Sequence, residues 1–291
     1  MDRVAQGQRY TSTVTRLLCR QNVWCMLLAA PLILSLAGCS LPLHQQVEGV
    51  GGTYQEVTTD SFKHVFALNH FANNDGPVVV YIEGDGTPWA TRRQISNNPT
   101  PFNPLLFGWF LASNGPAAYL GRPCYFELDD DQCSAYWYTH GRYSDRVVES
   151  LVDVLHQTLK GRSLILVGHS GGGTLAMLMA DRMNNVSMVV TIAGNLSVQQ
   201  WAEHHQYSAL SGSLDPMHDL TMHNSALGNA IPQIHFYSPN DEVIKPEWIE
   251  ALAAKQANAE LIELPVEGHS EGWNVYRDEV MKRIKKELDK L

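Results

Sequence analysis

Basic residues are in short supply in this chain. Its 291 residues hold 21 Lys and Arg against 30 Asp and Glu, a formal charge of −9 at pH 7. Phosphate backbones and anionic headgroups are gripped by clusters of Lys and Arg, so this balance argues against a nucleic-acid partner and against electrostatic adhesion to anionic lipid. Long apolar runs are lacking too. The most apolar stretch, Trp24 to Leu36, falls short of the about 20 residues that a spanning helix needs, and Pro31 interrupts it. Internal repeats and low-complexity tracts are absent. Cysteine is sparse: of five, Cys19, Cys25 and Cys39 fall near the N-terminus, leaving Cys124 and Cys133. Nothing near this pair completes a zinc set. The expectation is a disulfide closing the acidic loop Glu127 to Asp131, as suits an oxidising compartment, with metal-binding thiols as the alternative.

What the N-terminus does have is an ordered pattern. Arg3, Arg9, Arg16 and Arg20 stand with a single acid, Asp2, ahead of the uncharged run from Trp24, which ends in Leu36-Ala37-Gly38-Cys39. Basic arm, apolar core and small residues, in that order, read as an export signal. The last four residues resemble the lipobox of bacterial lipoproteins. The resemblance implies that residues 1–38 are a signal peptide and that Cys39 is lipidated and becomes the N-terminus, tying the protein to a membrane. Ser40 rather than Asp follows the cysteine; by the same resemblance this implies the outer membrane facing the periplasm in a Gram-negative source, and the cell surface in a Gram-positive one. The 253 residues left after cleavage carry −12 and suffice for one large domain. Residues 39–52 read as a tether ending in Gly51-Gly52, and 53–291 as the domain.

The domain's pattern is strand alternating with helix. Tyr54 to Thr58 and Phe62 to Leu68 read as an initial pair of strands. Val78 to Ile82 is a continuous β-branched run, as expected of a strand buried on both faces. A loop from Gly84 to Pro101 precedes a helix over 103–113 and a short strand, Ala117 to Leu120. Ser144 stands as N-cap of a helix to about Lys160, with Val147, Val148, Leu151, Val154 and Leu155 on one face. Further strands are expected at Leu164 to Val167, Val186 to Ala193, Gln233 to Tyr237 and Glu260 to Leu264, with helices over 174–180, 247–256 and 273–288. This alternation predicts an α/β fold with a mostly parallel central sheet and helices on both faces. Residues 195–230, lacking a strong period, read as a small cap insertion.

Chemistry concentrates at Gly168-His169-Ser170-Gly171-Gly172. A glycine-flanked serine between a strand and a helix is a nucleophile elbow: the turn is too tight for flanking side chains and presents the hydroxyl at the edge of a sheet. A serine hydroxyl needs a base, and the base needs an orienting carboxylate. Asp241, after the strand Gln233 to Tyr237, and His269, after the strand Glu260 to Leu264, stand on the same edge in the order acid, then histidine. In this arrangement the chain resembles an α/β-hydrolase. Gly121 to Cys124 and Arg142 to Ser144 are similar to segments of proteobacterial α/β-hydrolase lipoproteins. The resemblance implies a serine hydrolase, with Ser170, Asp241 and His269 catalytic and no cofactor. Its substrate would be a small-molecule or lipid acyl compound, with carboxylic esters first. Thioesters or peptides on the same residues, or a non-catalytic envelope lipoprotein of the same fold, are the alternatives.

By the same resemblance the oxyanion hole uses the N–H groups of Gly171 and Asp85, the latter in Glu83-Gly84-Asp85-Gly86, with Gly86 as the alternate donor. Here the chain departs from the family's His-Gly pattern. A bare carboxylate near a developing oxyanion would raise the barrier, so an arginine, foremost Arg122, is expected to pair with Asp85 or Glu83. His169 is expected to pack within the elbow, its side chain turned from the hydroxyl. His204, His205, His218 and His223 match no zinc spacing and read as polar residues of the cap. Trp89, Trp109 and Trp201 are candidates for an apolar acyl pocket, with core packing the favoured reading for Trp109.

Overall fold

The computed structural model describes residues 41–220 and 231–290. The expected signal peptide with Cys39, and residues 221–230 of the expected cap with His223, lie outside the described residues. Ten strands and eight α-helices are described. The strands are β1 (Thr53–Thr58), β2 (Lys63–Leu68), β3 (Val78–Ile82), β4 (Trp89–Thr91), β5 (Gln94–Ile95), β6 (Ala117–Leu120), β7 (Leu164–His169), β8 (Val186–Ile192), β9 (Gln233–Tyr237) and β10 (Ala259–Glu263). The helices are α1 (Leu43–Gly49), α2 (Leu105–Leu111), α3 (Asp145–Thr158), α4 (Gly171–Ala180), α5 (Val198–His204), α6 (Pro216–Asp219), α7 (Pro246–Ala253) and α8 (Arg277–Leu288).

Eight strands form one sheet in the order β1-β2-β6-β3-β7-β8-β9-β10. The pairs β1/β2 and β2/β6 are antiparallel, and every pair from β6 to β10 is parallel. Alternation along the central strands explains the two faces. Val78, Val80 and Ile82 of β3, with Leu164 and Leu166 of β7, pack against α3, α4 and α7. Tyr81, Ile165 and Val167 point the other way, against α2 and α8. A sheet covered on both faces explains the continuous β-branched runs, and the parallel pairing sets every functional loop at the carboxyl edge. Ser144 caps α3 as its position suggests, its Oγ accepting from the Val147 N–H at 3.4 Å, a contact of the class that contributes about 1 kcal/mol.

Three stretches differ from the sequence-based expectation. Part of the expected tether, Leu43–Gly49, is helical; Val47 is fully buried, and its carbonyl takes the Gly52 N–H at 2.9 Å. The expected loop after β3 contains the hairpin β4–β5, turned by the Thr91 hydroxyl, which accepts from the N–H groups of Arg93 and Gln94. The helix after Ser170 begins at Gly171 rather than at Thr174. No described helix is long and apolar enough to cross a membrane.

Candidate active site

Ser170 sits between β7 and α4 with φ 52° and ψ −121°, a backbone conformation that a residue with a side chain adopts only when its surroundings impose it. Three contacts impose it. The Ser170 N–H donates to the Ile192 carbonyl at 3.0 Å, and its carbonyl accepts from Gly173 and Asn195 at 2.9 and 3.0 Å. The glycines allow the close approach: a Cβ on Gly168 would lie 2.1 Å from the Gly172 carbonyl oxygen, and one on Gly172 2.1 Å from that of Ile82.

The two expected partners reach Ser170 from the loops after β9 and β10. His269 Nε2 lies 2.8 Å from Ser170 Oγ, and His269 Nδ1 lies 2.8 Å from Asp241 Oδ2. The other oxygen of Asp241 accepts from the Val243 and Ile244 N–H groups at 2.8 and 2.9 Å. Burial alone would raise the Asp241 carboxyl; the His269 hydrogen bond and charge and these two amides outweigh it and hold the group below the usual carboxylate range. The His269 carbonyl is held in turn, accepting from Trp273 Nε1 at 3.0 Å and lying 3.0 Å from His169 Nε2. His169 therefore does more than pack within the elbow. Burial, with the neighbouring His269, lowers it to about 4, so at neutral pH it is uncharged and donates to the loop that carries His269.

The Asp85 carboxylate is not bare. It accepts from Arg122 Nη1 at 2.5 Å, from Arg142 Nη1 at 2.7 Å and from the Tyr143 hydroxyl at 2.6 and 2.8 Å. Arg122 is the partner expected from the sequence; Arg142 and Tyr143 complete the clamp. The Tyr125 hydroxyl donates to the Asp85 carbonyl at 2.8 Å. Burial would raise the Asp85 carboxyl, but Arg142, Arg122 and Tyr143 together drive it far below its ordinary range. Among the described residues the Asp85 N–H has no hydrogen-bond partner, and the Gly171 N–H belongs to the first turn of α4, where amides lack intrahelical acceptors. The two residues are adjacent, since a Cβ on Gly171 would come within 2.2 Å of Asp85 Oδ1. Glu83 is buried and tied to α2, accepting from the Phe107 N–H at 2.8 Å. Burial raises it to about 7 against the pull of the amides around it.

These groups open into a cavity of about 720 Å³. Trp89, Phe102, Trp201, Tyr207 and Leu210 supply apolar lining, and Glu83, Arg142, His169 and His269 polar lining. From the stretch expected to form a cap, Trp201, Gln206, Tyr207, Ser208 and Leu210 line this cavity. Trp109 belongs to the core, fully enclosed, with its Nε1 donating to Asn274. His205 Nε2 lies 2.8 Å from the Val243 carbonyl, joining the end of α5 to the Asp241 loop. No three His, Cys, Asp or Glu side chains gather as a metal-ligand group among the described residues.

A family model described as BAAT / Acyl-CoA thioester hydrolase C terminal matches residues 148–286. Among solved structures, the chain is similar to an esterase of Pyrococcus furiosus, at 13% identity and TM-score 0.58, over 84% of this chain and 94% of that one. The chain is an α/β-hydrolase by fold. Two further α/β structures agree. Mouse alpha/beta hydrolase domain-containing protein 10 has 14% identity and TM-score 0.56, over 82% of this chain and 99% of that one. Est1E of Butyrivibrio proteoclasticus, solved with ferulic acid bound, has 13% identity and TM-score 0.56, over 81% and 99%. No curated protein matches in sequence.

Within this fold the cysteine loop adjoins the residues that hold Asp85. Cys124 and Cys133 form a disulfide with Cα atoms 5.3 Å apart. Cys124, Phe126 and Glu127 all have positive φ, at 66°, 65° and 53°, so the loop is held in conformations that such residues avoid when free. Closing so short a loop stabilises by about 2–3 kcal/mol in the chain-entropy picture. The bridge flanks Arg122 and Tyr125, the two residues of this segment that hold Asp85.

Proposed function

We propose that this protein is a serine hydrolase that cleaves carboxylic esters through an acyl-enzyme. The observation that carries the reading is the hydrogen-bonded chain Ser170–His269–Asp241 at the wall of a cavity large enough for a small acyl substrate. Ser170 Oγ attacks the acyl carbonyl while His269 Nε2 takes its proton. Asp241 accepts from Nδ1–H and stabilises the imidazolium. The Gly171 and Asp85 N–H groups receive the oxyanion, with Asp85 held by its arginine clamp. His269 then returns the proton to the departing alcohol oxygen; water attacks the acyl-enzyme with His269 again as base, and its proton passes to Ser170 Oγ as the bond to the acyl group breaks and the carboxylic acid leaves. His169 and Trp273 are positioning residues for the His269 loop.

Thioesters are the second reading, favoured by the name of the matching family. A panel of 4-nitrophenyl esters of increasing acyl length, run beside the matching acyl-CoA thioesters, tests both. Ester turnover that vanishes in Ser170→Ala is expected. A larger kcat/KM for thioesters would favour the second reading, and turnover retained in Ser170→Ala would sink both.

The leader supports a location in the cell envelope, with the protein held to the outer membrane by a lipid on Cys39. Cys39→Ser should move the protein from the membrane fraction to the soluble one. Unchanged membrane association would remove the anchor from the proposal.

A further inference from the structure

Arg142 forms part of the cavity wall, and its hydrogen bonding is incomplete. The residue is 5% exposed. Its Nε donates to the Thr139 carbonyl at 2.6 Å and its Nη1 to Asp85 at 2.7 Å. Its Nη2 donates to no described residue, yet it is not sealed from solvent as an unpartnered buried atom would be. The Trp201 ring, 5.7 Å from the guanidinium carbon, covers one side and accepts no ordinary hydrogen bond. A nearly buried guanidinium with unused donors is costly unless something else receives them.

The charge around it is also unbalanced. Arg122, 2% exposed, and Arg142 share the single carboxylate of Asp85, so two positive charges meet one negative charge. Burial raises Tyr125 and Tyr143, so both stay neutral and cannot cancel the surplus. Glu83, the other acid of the cavity, is bound to backbone amides at the start of α2 and is only partly ionised near neutral pH. In a wall of low dielectric, such a surplus attracts an anion more strongly than it would in water. The cluster abuts Gly171, the residue after Ser170.

We propose that Arg142 is a specificity-determining residue whose Nη2 receives an anionic oxygen of the substrate, so that the preferred substrates carry a negatively charged group close to the scissile acyl bond. This rests on the reading of Ser170 as the nucleophile, but recognition can be measured without turnover. Two ligand pairs probe the acyl and alcohol sides: monomethyl glutarate against its neutral amide analogue, and O-butyryl glycolate against its glycolamide analogue. Dissociation constants are measured by calorimetry on the Ser170→Ala protein. One charged hydrogen bond predicts about tenfold tighter binding of the anionic member of at least one pair. Arg142→Gln in the same background should abolish that preference, while Arg142→Lys should retain part of it. Equal or tighter binding of the neutral member in both pairs overturns the proposal with no Arg142 variant needed, as does a preference that survives Arg142→Gln. If the anionic ligands bind selectively but the intact protein hydrolyses no ester or thioester, the catalytic reading fails and anion recognition stands. Hydrolysis without any charge preference overturns anion recognition and leaves the catalytic reading in place.

Discussion

His269→Ala is expected to fold normally and to lose roughly four to six orders of magnitude in kcat on any ester the protein hydrolyses. The size of the loss follows from the geometry. His269 is the group in hydrogen-bond contact with both Ser170 Oγ and Asp241, so its removal leaves a hydroxyl with no base and a carboxylate with nothing to orient. The fold should survive. Asp241 keeps its two backbone amides, and the loop that carries residue 269 remains tied through its carbonyl to His169 and Trp273. Because serine and histidine act as one unit, the Ser170→Ala/His269→Ala double variant should be no slower than the worse single variant. Near-native circular dichroism and melting, together with kcat for the three proteins, provide the check. A loss of less than about tenfold, or losses that multiply in the double variant, would mean that His269 is not the base.

Asp85→Asn should be the most destabilising single change at the site. The substitution keeps the shape of the side chain but removes the carboxylate that Arg122 and Arg142 share, leaving two nearly buried guanidiniums facing each other. Breaking a buried pair in this way costs about 3–5 kcal/mol, read as a fall in the urea midpoint. The loss should be pH-dependent with a definite sign. Burial raises the Asp85 carboxyl, and Arg142, Arg122 and Tyr143 more than reverse it, so the folded value lies below the ordinary 3.8. A depressed carboxyl stabilises the fold fully above its ordinary value and stops doing so as pH falls through the folded value. The gap between wild type and Asp85→Asn should therefore be full at neutral pH and narrow only in strong acid. Adding Arg142→Gln to Asp85→Asn should recover part of the loss, because it removes one of the two opposed charges. An unchanged urea midpoint in Asp85→Asn would show that the clamp contributes nothing.

The elements of the site differ in how far the sequence discloses them, and the difference has a physical basis. Gly168 to Gly172 is legible because one tight turn imposes its residue types locally. Asp241 and His269 are legible because parallel strands deliver their loops to one edge. Pairing of Arg122 with Asp85 follows from an energetic demand, since an unneutralised acid beside a developing oxyanion would defeat it. Arg142, 57 residues from Asp85, makes no such demand on the sequence; its contact depends on how the segment before α3 turns back across the sheet edge. The role of His169 is hidden for a similar reason. Its neighbour in sequence is Ser170, but its hydrogen-bond partner is the backbone of His269, 100 residues away. The helix Leu43–Gly49 escapes notice because it has no capping side chain and depends on burying one residue, Val47.

The most direct measurement is active-site labelling with a fluorophosphonate, which phosphonylates an activated serine. The folded wild-type protein should bind one equivalent, with the added mass on the peptide containing Ser170, and Ser170→Ala should bind none. Labelling at another residue, labelling that persists in Ser170→Ala, or no labelling of folded wild-type protein would contradict a nucleophilic Ser170.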